Sequence, residues 1–489
     1  MICIPITAKT QIQIVEEMIS AARLADLVEL RLDYARRVAL PELLESRRGP
    51  VIVTCRPKRQ GGLYEGPEDA RIALLQQAVD LGAEFVDIEL DSANRLRRSG
   101  KTQIIVSHHD FDKVPENLGA IHRELIHAGA DIAKIVCMVR DIRDNLRLFA
   151  LLQETKHRTI VLGMGEAGFP SRVLGRKFGN FLTFASLTAG KESAPGQVTA
   201  HDLIELYRYR SIGPKTAVYG VIANPVRHSM SPAIHNRAFA ERGLDAVYLP
   251  FLVQCDAVEF IRAFKILDVQ GYSVTVPHKV RALEAVDEVD PLAKRIGAIN
   301  TVLHRKGKLV GTNTDVAAAV AALEEAIGGA SRGRSPLQGK HVLMIGAGGA
   351  GRAVAYGIIE RGARLTIANR TAERGEQLAN EVGAQAVPLS EVEEVEADII
   401  VNTTTIGMHP NVDETPVPAT MLRKGMVVFD AVYNPLETRL LREAKAAGCR
   451  TVSGLTWFVR QASAQFELWT GKPAPVQIME QVVRERLKG

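Results

Sequence analysis

The first 210 residues alternate between short runs rich in β-branched residues and longer segments whose apolar residues recur at helical spacing. Residues 70–79 are an example of the helical pattern. Strand–helix alternation repeated eight times over about 200 residues is typical of a (β/α)8 barrel, with an open doubly wound sheet as the alternative. The predicted strands are 2–7, 27–33, 51–56, 85–90, 103–110, 132–139, 159–165 and 182–187.

A second α/β series follows a Gly-Pro break at residues 213–214. Residues 328–336 have the composition of a solvated linker, and the tail from residue 455 is predicted to be helical. The last four apolar runs suggest the parallel strands of a nucleotide-binding sheet. The predicted strands of this series are 218–223, 246–252, 271–276, 299–304, 341–345, 364–368, 398–402 and 426–430.

Composition narrows the function classes. The chain has 489 residues, 46% hydrophobic and 24% charged, which is an ordinary soluble composition with room for about three folding units. A net charge of +5 and 5% aromatic residues do not suggest nucleic-acid binding, and no segment approaches the roughly 20 apolar residues of a membrane span. Five scattered cysteines without a CxxC pair argue against disulfides and structural zinc. We therefore expect a cytoplasmic protein without signal peptide or membrane anchor.

Charged residues alternate with apolar ones in the second predicted strand. Glu29, Arg31 and Asp33 share one face, and three apolar residues share the other. Both faces of a barrel strand are covered, so these charges would point into the lumen, where burial is costly unless the charges are paired or used. An inward Glu29 and Arg31 therefore suggest a ligand site; the alternative is an edge strand with a wet face. The fourth strand repeats the pattern with Asp87 and Glu89.

Lys134 lies between apolar neighbours in the sixth predicted strand. Desolvation and nearby cations disfavour a buried ammonium, which predicts a nucleophilic amine suited to Schiff-base chemistry on a ketone. A snorkelling or salt-bridged lysine is the alternative. His108 and His109 close the fifth strand and point to opposite faces, so only one can be a general acid/base, and either can be structural. Because the pair cannot converge on an ion, no metal site is expected.

Six motifs in this block resemble type I 3-dehydroquinate dehydratase, in matching order and spacing. They are 29–33 (ELRLD), 54–58 (TCRPK), 107–111 (SHHDF), 131–135 (DIAKI), 171–175 (SRVLG) and 193–197 (SAPGQ). The resemblance implies that Lys134 forms an imine with 3-dehydroquinate and that His109 shuttles protons while water is eliminated to give 3-dehydroshikimate. Arg172 suits a carboxylate because its guanidinium can bind one bidentately. The implied substrate contacts are Glu29, Arg31, Arg56, Arg172, Ser193 and Gln197.

Position 60 departs from this family. The family usually has Glu where this chain has Gln60, and that carboxylate is thought to orient the histidine and stabilise its charge. Gln60 can accept a hydrogen bond but offers no negative charge. We therefore predict a lower imidazolium pKa for His109 than in relatives, and hence an altered pH–rate profile.

A glycine-rich motif opens the nucleotide-binding segment. Residues 346–351 (GAGGAG) follow a predicted strand and precede a helical run, which is the context in which such a loop brings backbone amides to a pyrophosphate. The next strand ends in residues 369–371 (NRT), where an NAD enzyme would place an acid. Arg370 and Arg374 can instead neutralise a 2′-phosphate, which favours NADP; solvated surface arginines are the alternative. The predicted contacts are Gly346, Gly348, Gly349, Ala350, Gly351, Asn369, Arg370, Thr371 and Arg374.

Residues 224–232 indicate a turn into a helix, with Ser231 as the N-cap and Pro232 at the first position. Capping alone explains Ser231, although a helix N-terminus with free hydroxyls also binds carboxylates. Lys279 comes just after a strand, and Asp315 stands at a loop–helix junction. Converging on a hydroxyl, this lysine and aspartate would make a proton relay for hydride transfer; separately, each would be a surface charge.

From about residue 218 to the C-terminus the chain resembles shikimate dehydrogenase. The motifs are 224–232 (NPVRHSMSP), 275–279 (TVPHK), 298–301 (AINT), 313–315 (NTD), 402–408 (NTTTIGM) and 461–462 (QA). The resemblance implies that Lys279 and Asp315 are catalytic and that Met408 and Gly454 lie near the nicotinamide. The implied substrate contacts are Ser229, Ser231, Thr275, Asn300, Tyr433 and Gln461.

The fused order resembles the bifunctional family known from plants, in which the product of the barrel is the substrate of the dehydrogenase. The expected domains are a barrel over 1–212, a shikimate-binding lobe over 213–323 completed by 455–489, and an NADP-binding Rossmann-like lobe over 324–454. We expect small-molecule substrates and no nucleic-acid or membrane partner; the oligomeric state stays open, with a monomer plausible. The alternatives are quinate oxidation by the second half and a metabolite-sensing regulator without turnover.

Overall fold

The computed structural model describes residues 1–227, 229–328 and 334–487. Two compact units divide the chain. The first comprises Met1–Ala217, Asp245–Cys255 and Ala263–Leu267, and the second comprises Val218–Leu244, Asp256–Arg262 and Asp268–Gly489. Within the described ranges, no helix combines the length and the hydropathy needed to cross a bilayer.

Eight strands form the sheet of the first unit. They are β1 (Ile2–Ile6), β2 (Leu27–Arg31), β3 (Val51–Thr54), β4 (Phe85–Glu89), β5 (Gln103–Asp110), β6 (Ile132–Met138), β7 (Thr159–Met164) and β8 (Thr183–Phe184). Their order is β7-β6-β5-β4-β3-β2-β1-β8, and the neighbouring pairs are parallel. The Phe181 N–H donates to the Thr159 carbonyl at 2.9 Å and thereby joins β7 to the start of β8. The sheet is a nearly closed barrel, which confirms the predicted fold class over the open-sheet alternative.

Helices cover the outside of this barrel. They are α1 (Gln11–Ala21), α2 (Leu40–Glu45), α3 (Glu68–Asp80), α4 (Leu118–His127), α5 (Asp144–Glu154) and α6 (Phe169–Leu174). Because side chains alternate along each strand, the lumen receives every second residue. Leu27, Ile52, Ile105, Ile132 and Ile160 belong to one apolar cluster that fills it near the amino ends of the strands. Polar lumen positions are thereby left to the carboxyl ends.

The remaining strands are β9 (Ala217–Ala223), β10 (Ala246–Leu252), β11 (Val269–Val274), β12 (Glu288–Val289), β13 (Thr301–Arg305), β14 (Lys308–Thr312), β15 (His341–Ile345), β16 (Arg364–Ala368), β17 (Gln385–Val387), β18 (Ile399–Asn402), β19 (Val427–Asp430) and β20 (Arg450–Val452). The remaining helices are α7 (Ser231–Glu241), α8 (Ala257–Phe264), α9 (Pro291–Ile296), α10 (Thr314–Ile327), α11 (Gly349–Glu360), α12 (Ala372–Val382), α13 (Arg439–Ala446), α14 (Gly454–Thr470) and α15 (Val476–Arg486).

Two sheets organise the second unit. In one, β9, β11, β13, β14 and β12 follow each other in space, and β13 runs antiparallel to both of its neighbours. The other is parallel throughout, in the order β17-β16-β15-β18-β19-β20. Its chain order reverses between β15 and β18, and at such a switch point doubly wound sheets bind nucleotides. The Rossmann-like architecture predicted for this segment is therefore present.

Strand positions agree closely with the predicted ones, and β5, β10, β15 and β16 have the predicted bounds. Four strands were not predicted, β12, β14, β17 and β20, of which β12, β17 and β20 are three residues long or less. Of the predicted linker, residues 329–333 lie outside the described chain. The division of the second half into two lobes stays a prediction.

Candidate active sites

The charged side chains of the barrel strands meet in one cavity. Glu29 and Lys134 stand two positions beyond Leu27 and Ile132 on their strands, so they share the lumen face and lie above the apolar cluster. Carboxyl ends of barrel strands are where such folds place active sites. The cavity is lined by the whole set that the sequence assigned to the barrel: Glu29, Arg31, Arg56, His109, Lys134, Arg172, Ser193 and Gln197.

Lys134 is buried and ion-paired. Its Nζ lies 2.7 Å from Asp87 Oδ2 and 3.8 Å from Glu29 Oε1, and 4.6 Å from the centroid of the Phe184 ring. The nearest neighbours of its amine are thus two carboxylates and an aromatic face. Lys134 is therefore salt-bridged, and its role as a nucleophilic amine stays a prediction. Alternation on β4 had indicated an inward Asp87, but not its pairing with Lys134.

Arg56 joins one further carboxylate, Glu89, to this pair. Its Nη2 lies 2.9 Å from Asp87 Oδ1, and its Nη1 lies 2.6 Å from Glu89 Oε1. Burial by itself raises the pKa of Asp87, but Arg56 and Lys134 outweigh burial and hold that pKa well below its usual range. Asp87 therefore stays ionised and anchors Lys134.

His109 reaches the cavity wall and His108 is not among the lining residues of the described chain, as strand alternation predicts. The His109 ring stacks on Phe111, with centroids 6.0 Å apart. Burial, with Arg56 and Lys134 adding to it, lowers the pKa of His109 well below its usual value. His109 is therefore a neutral imidazole at physiological pH and can accept a proton.

Gln60 lines the same cavity. Its Oε1 and His109 Nδ1 are both buried, and neither has a hydrogen-bond partner among the described residues. Two unsatisfied polar atoms at one cavity wall fit a site that a polar ligand completes. The comparison of the His109 pKa with that of Glu-containing relatives stays a prediction.

Arg172 is a buried cation without a counter-ion. Its residue is 1% exposed, and its recorded hydrogen bond is a 3.2 Å contact from Nη2 to the Pro195 carbonyl. No carboxylate of the described chain lies within ion-pair distance of it, and its Nε is unsatisfied. Burial lowers the pKa of Arg172 to about 10. Such a guanidinium is costly to bury unless an anion comes to it.

The other interior cations of the barrel are all paired. Each lies 2.9 Å or less from a carboxylate, and four cations meet four buried carboxylates. The barrel interior therefore holds one cation, Arg172, that no buried carboxylate balances. The paired cations are Arg31, Arg56, Arg71 and Lys134, and the carboxylates are Glu29, Asp33, Asp87 and Glu89.

Ser193 and Gln197 hold each other at the rim of the cavity. The Ser193 N–H donates to Gln197 Oε1 at 2.8 Å, and Gln197 Nε2 donates to Ser193 Oγ at 3.1 Å. Sequence analysis missed the apolar part of the wall, although alternation on β6 and β7 could have found it. This part consists of Val136, Leu162, Met164, Phe184 and Ala194.

In the second unit, Lys279 and Asp315 form a pair. Lys279 Nζ donates to Asp315 Oδ2 at 2.6 Å, and both side chains are largely buried. Asp315 is the second residue of α10, and its N–H bonds to the N-cap side chain of Asn313. Asn300 lies beside this turn and bonds the Thr314 hydroxyl at 2.9 Å. The sequence motifs around 300 and 313–315 thus fold into one polar corner.

The turn into α7 differs from its prediction. The helix begins at Ser231 itself, with Met230 at the N-cap position and no side-chain cap. The N-cap assignment of Ser231 is therefore wrong, and Ser229 Oγ instead accepts a bond from the Ser231 N–H at 3.3 Å. A hydroxyl left out of capping is available to a ligand.

The remaining predicted substrate contacts occupy two places. Thr275 follows β11, and the preceding Val274 N–H donates to the Asn300 carbonyl at 2.7 Å. Tyr433 stacks on Phe458, with centroids 4.6 Å apart, and Gln461 donates to the Phe458 carbonyl at 2.8 Å. Thr275 thus lies beside Asn300, whereas Tyr433 and Gln461 share a face of α14.

The glycine loop has the geometry of a phosphate-binding turn. Gly346 has φ +109°, and a Cβ on Gly351 would lie 2.4 Å from the Gly346 carbonyl oxygen, so only glycine fits both positions. Gly348 is the N-cap of α11 and gives no side-chain cap, which leaves the first amides of α11 to a ligand. A Cβ on Gly349 would lie 3.4 Å from Lys279 Cδ. The loop therefore reaches the Lys279–Asp315 pair.

Two exposed arginines follow the next strand. The Asn369 side chain accepts a bond from the Ala347 N–H at 3.1 Å and so ties residues 369–371 to the glycine loop. Arg370 and Arg374 are exposed at the start of α12, and neither is ion-paired among the described residues. Their charge is free for a phosphate beside the loop, so the residues present fit a dinucleotide with a 2′-phosphate.

Asp430 holds the segments that carry Met408 and Tyr433. Its carboxylate accepts bonds from Thr438 Oγ1 at 2.6 Å, from Asn402 Nδ2 at 2.9 Å and from the Val432 N–H at 3.0 Å. Burial raises the pKa of Asp430 to about 6 despite these bonds. Met408 is 41% exposed.

Gly454, the other residue predicted near the nicotinamide, begins α14. A Cβ there would lie 2.3 Å from the Val432 carbonyl oxygen. The start of α14 is therefore packed directly against the segment that follows Asp430, which explains the need for glycine at this position.

Family models match both halves of the chain. Residues 2–214 match type I 3-dehydroquinase. Residues 221–302 match the shikimate dehydrogenase substrate binding domain, 329–436 match shikimate/quinate 5-dehydrogenase, and 454–484 match the shikimate 5′-dehydrogenase C-terminal domain. Fold and sites thus define a class of two-part proteins, a dehydroquinase barrel followed by a dehydrogenase with a Rossmann-like lobe.

Individual relatives agree. The bifunctional 3-dehydroquinate dehydratase/shikimate dehydrogenase, chloroplastic, of Arabidopsis thaliana is 44% identical over 507 residues, which cover 99% of this chain and 84% of that protein. The shikimate dehydrogenase (NADP(+)) of Bacillus cereus strain B4264 is 43% identical over 56% of this chain and 99% of its own. A crystal structure of shikimate dehydrogenase in complex with NADP+ is 40% identical with a TM-score of 0.53, over 56% of this chain and 97% of that one. The chain therefore belongs to the family of bifunctional 3-dehydroquinate dehydratase/shikimate dehydrogenases.

The resemblances stated from the motifs are confirmed for both halves. The predicted cytoplasmic location is not confirmed, since the Arabidopsis relative is named as chloroplastic. The cytoplasmic location therefore stays a prediction, as do the oligomeric state and the individual residue roles.

Proposed function

We propose that the barrel dehydrates 3-dehydroquinate to 3-dehydroshikimate and that the second unit reduces 3-dehydroshikimate to shikimate with NADPH. Membership of the bifunctional family supports this assignment. The observation that carries it is the missing negative charge at Arg172, in the same cavity as Lys134 and His109. A cyclic keto acid supplies both the carboxylate for Arg172 and the ketone for Lys134.

Lys134 is the nucleophile of the first reaction. After it gives up a proton, its amine attacks the keto carbon, the carbonyl oxygen departs as water, and a C=N bond forms. In sum, an ammonium and a ketone give a protonated imine and one water. The positive nitrogen then withdraws electrons from the neighbouring carbon and makes its proton acidic.

His109 carries that proton. Its neutral imidazole takes the proton from the carbon beside the imine, and the imidazolium returns it to the hydroxyl that leaves as a second water. The new C=C bond is conjugated with the imine. Hydrolysis by water then releases 3-dehydroshikimate and restores the amine of Lys134. Glu29, Arg31, Ser193 and Gln197 orient the ring through its polar groups.

NADPH supplies the hydride for the second reaction. Arg370 and Arg374 would bind its 2′-phosphate, and the amides at the start of α11 would bind its pyrophosphate. Lys279 gives a proton to the ketone oxygen as that oxygen gains charge, and Asp315 orients Lys279 through their ion pair. Ser229, Ser231, Thr275, Asn300, Tyr433 and Gln461 are the proposed substrate contacts, and Met408 and Gly454 would flank the nicotinamide.

One assay separates this proposal from its alternatives. The purified chain receives 3-dehydroquinate with or without NADPH, and enone formation and cofactor oxidation are followed. We expect the enone to accumulate without NADPH, and to be consumed with stoichiometric oxidation when NADPH is added. Preferential oxidation of quinate with NAD would instead identify a quinate dehydrogenase. Tight binding of both ligands without turnover would identify a metabolite sensor.

A further inference from the structure

Arg71 is a fully buried cation that does not line the barrel cavity. It lies on the inward face of α3, whose other members include Ile72, Leu75 and Ala78. Its side chain is 0% exposed. A guanidinium among apolar residues is expensive to bury, and an apolar residue of similar size at this position would avoid that expense. Packing alone therefore does not explain why position 71 is an arginine.

A continuous chain of ion pairs joins Arg71 to Lys134. Arg71 Nη1 lies 2.6 Å from Glu89 Oε2, and Glu89 Oε1 lies 2.6 Å from Arg56 Nη1. Arg56 Nη2 lies 2.9 Å from Asp87 Oδ1, and Asp87 Oδ2 lies 2.7 Å from Lys134 Nζ. Each carboxylate uses one oxygen toward each neighbour, so charges alternate in sign from α3 to the cavity.

We propose that Arg71 and Glu89 are positioning residues for the dehydration, which hold Arg56 against Asp87 and thereby set the pH at which Lys134 reacts. Neither residue needs to touch the substrate to do this. Arg71 pairs with Glu89 and so keeps Glu89 from pulling Arg56 away from Asp87. Asp87 in turn pairs with both Arg56 and Lys134. The inference rests on the proposed role of Lys134 as the imine-forming amine.

The sign of each effect follows from Coulomb's law. The groups that face Lys134 are Glu29 on β2, Arg56 after β3, Asp87 on β4, His109 on β5 and Cys3 on β1. Removing the positive Arg71 leaves this group more negative, which favours the ammonium and delays reaction to higher pH. Removing the negative Glu89 has the opposite effect. One unit charge at about 10 Å shifts a protonation midpoint by about one pH unit at an effective dielectric constant of about 20.

The test uses the full-length protein and 3-dehydroquinate, with the imine reduced by sodium cyanoborohydride and the adduct quantified by mass spectrometry between pH 5 and pH 9. We expect Arg71→Met to raise the pH midpoint of adduct formation by about one unit and Glu89→Gln to lower it by a similar amount. Arg71→Met combined with Glu89→Gln removes one charge of each sign, so its midpoint returns close to that of the unmodified chain.

Arg59→Met is the matched control. Arg59 also pairs with Glu68, which bonds Arg71, but its side chain is 45% exposed and it stands outside the chain of buried pairs. We expect its midpoint to equal that of the unmodified chain. Arg71→Lys keeps the positive charge. We expect its pH midpoint of adduct formation to equal that of the unmodified chain, even if the variant is less stable.

Three outcomes would overturn the inference. If the pH midpoint of adduct formation is the same in all folded variants, Arg71 and Glu89 are structural residues only, even if the variants unfold at a lower temperature. A shift of the same sign in both single variants would refute the charge argument. Absence of an adduct in the unmodified chain would instead refute the proposed role of Lys134, so the two failures are distinguishable.

Discussion

Replacing Arg172 by Met should weaken the dehydratase reaction while leaving the barrel at least as stable. Arg172 is 1% exposed and has no carboxylate within ion-pair distance among the described residues. Its burial therefore costs folding free energy that only a bound anion offsets. Met has a similar length and no charge. Arg172→Met therefore removes both the free-energy cost of burying the cation and its attraction for the bound anion.

The structure gives the size of both effects. Burial takes the pKa of Arg172 from 12.5 to about 10, and at roughly 1.4 kcal/mol per unit this is about 3 kcal/mol. Because the pKa of this cation is lower in the folded than in the unfolded chain, the cost is fully present below pH 10 and fades only above it. Losing one partner of a buried charge pair costs about 3–5 kcal/mol, which is about a 10²- to 10⁴-fold fall in kcat/KM for 3-dehydroquinate.

The assay measures kcat/KM for both reactions in the same preparation, together with hydrogen–deuterium exchange of barrel peptides in the full-length protein. Reduction of supplied 3-dehydroshikimate by the second unit serves as the internal control. Arg176→Met is the matched variant, because Arg176 donates to the Ile212 carbonyl and does not line the cavity; it should leave kcat/KM unchanged. The reasoning is refuted if Arg172→Met lowers kcat/KM less than about tenfold with intact exchange protection.

Three further predictions follow from the same sites. Gln60→Glu places a carboxylate beside His109, so it should raise the imidazolium pKa and move the acid limb of the dehydratase pH–rate profile to higher pH; an unchanged profile would contradict this. Replacing Arg370 and Arg374 together by Ala should raise KM for NADPH at least about tenfold and leave KM for NADH unchanged, and equal effects on both cofactors would contradict the 2′-phosphate assignment. Lys279→Ala should slow reduction about 10²-fold or more without affecting dehydration, and parallel loss of both activities would show that the two sites are not independent.

Strands with apolar or β-branched runs could be predicted from the sequence, and β5, β10, β15 and β16 have the predicted bounds. β17 and β20 could not be predicted, because they have three residues each and obtain their stability from neighbours in the sheet. Alternation placed Glu29 and Arg31 on the lumen face, whereas the roles of Arg56, Arg172, Ser193 and Gln197 came from the family resemblance. All six line the cavity.

The ion-pair partners of buried charged residues were harder to predict than the positions of those residues. Lys134 carried a clear signal of burial, but its ion-pair partner Asp87 is 47 residues away in sequence. The pairing of β4, β5 and β6 brings the two together, and no local pattern encodes it. Ser231 is a second example. The helix begins at Ser231, one residue earlier than predicted, so the predicted N-cap is the first helical residue.

The most direct test of the account is the mass of the borohydride-reduced conjugate formed with 3-dehydroquinate. The account predicts one adduct per chain on the peptide that contains Lys134, absent from Lys134→Met, which should still reduce supplied 3-dehydroshikimate. An adduct on another side chain, or rapid dehydration by Lys134→Met, would contradict it.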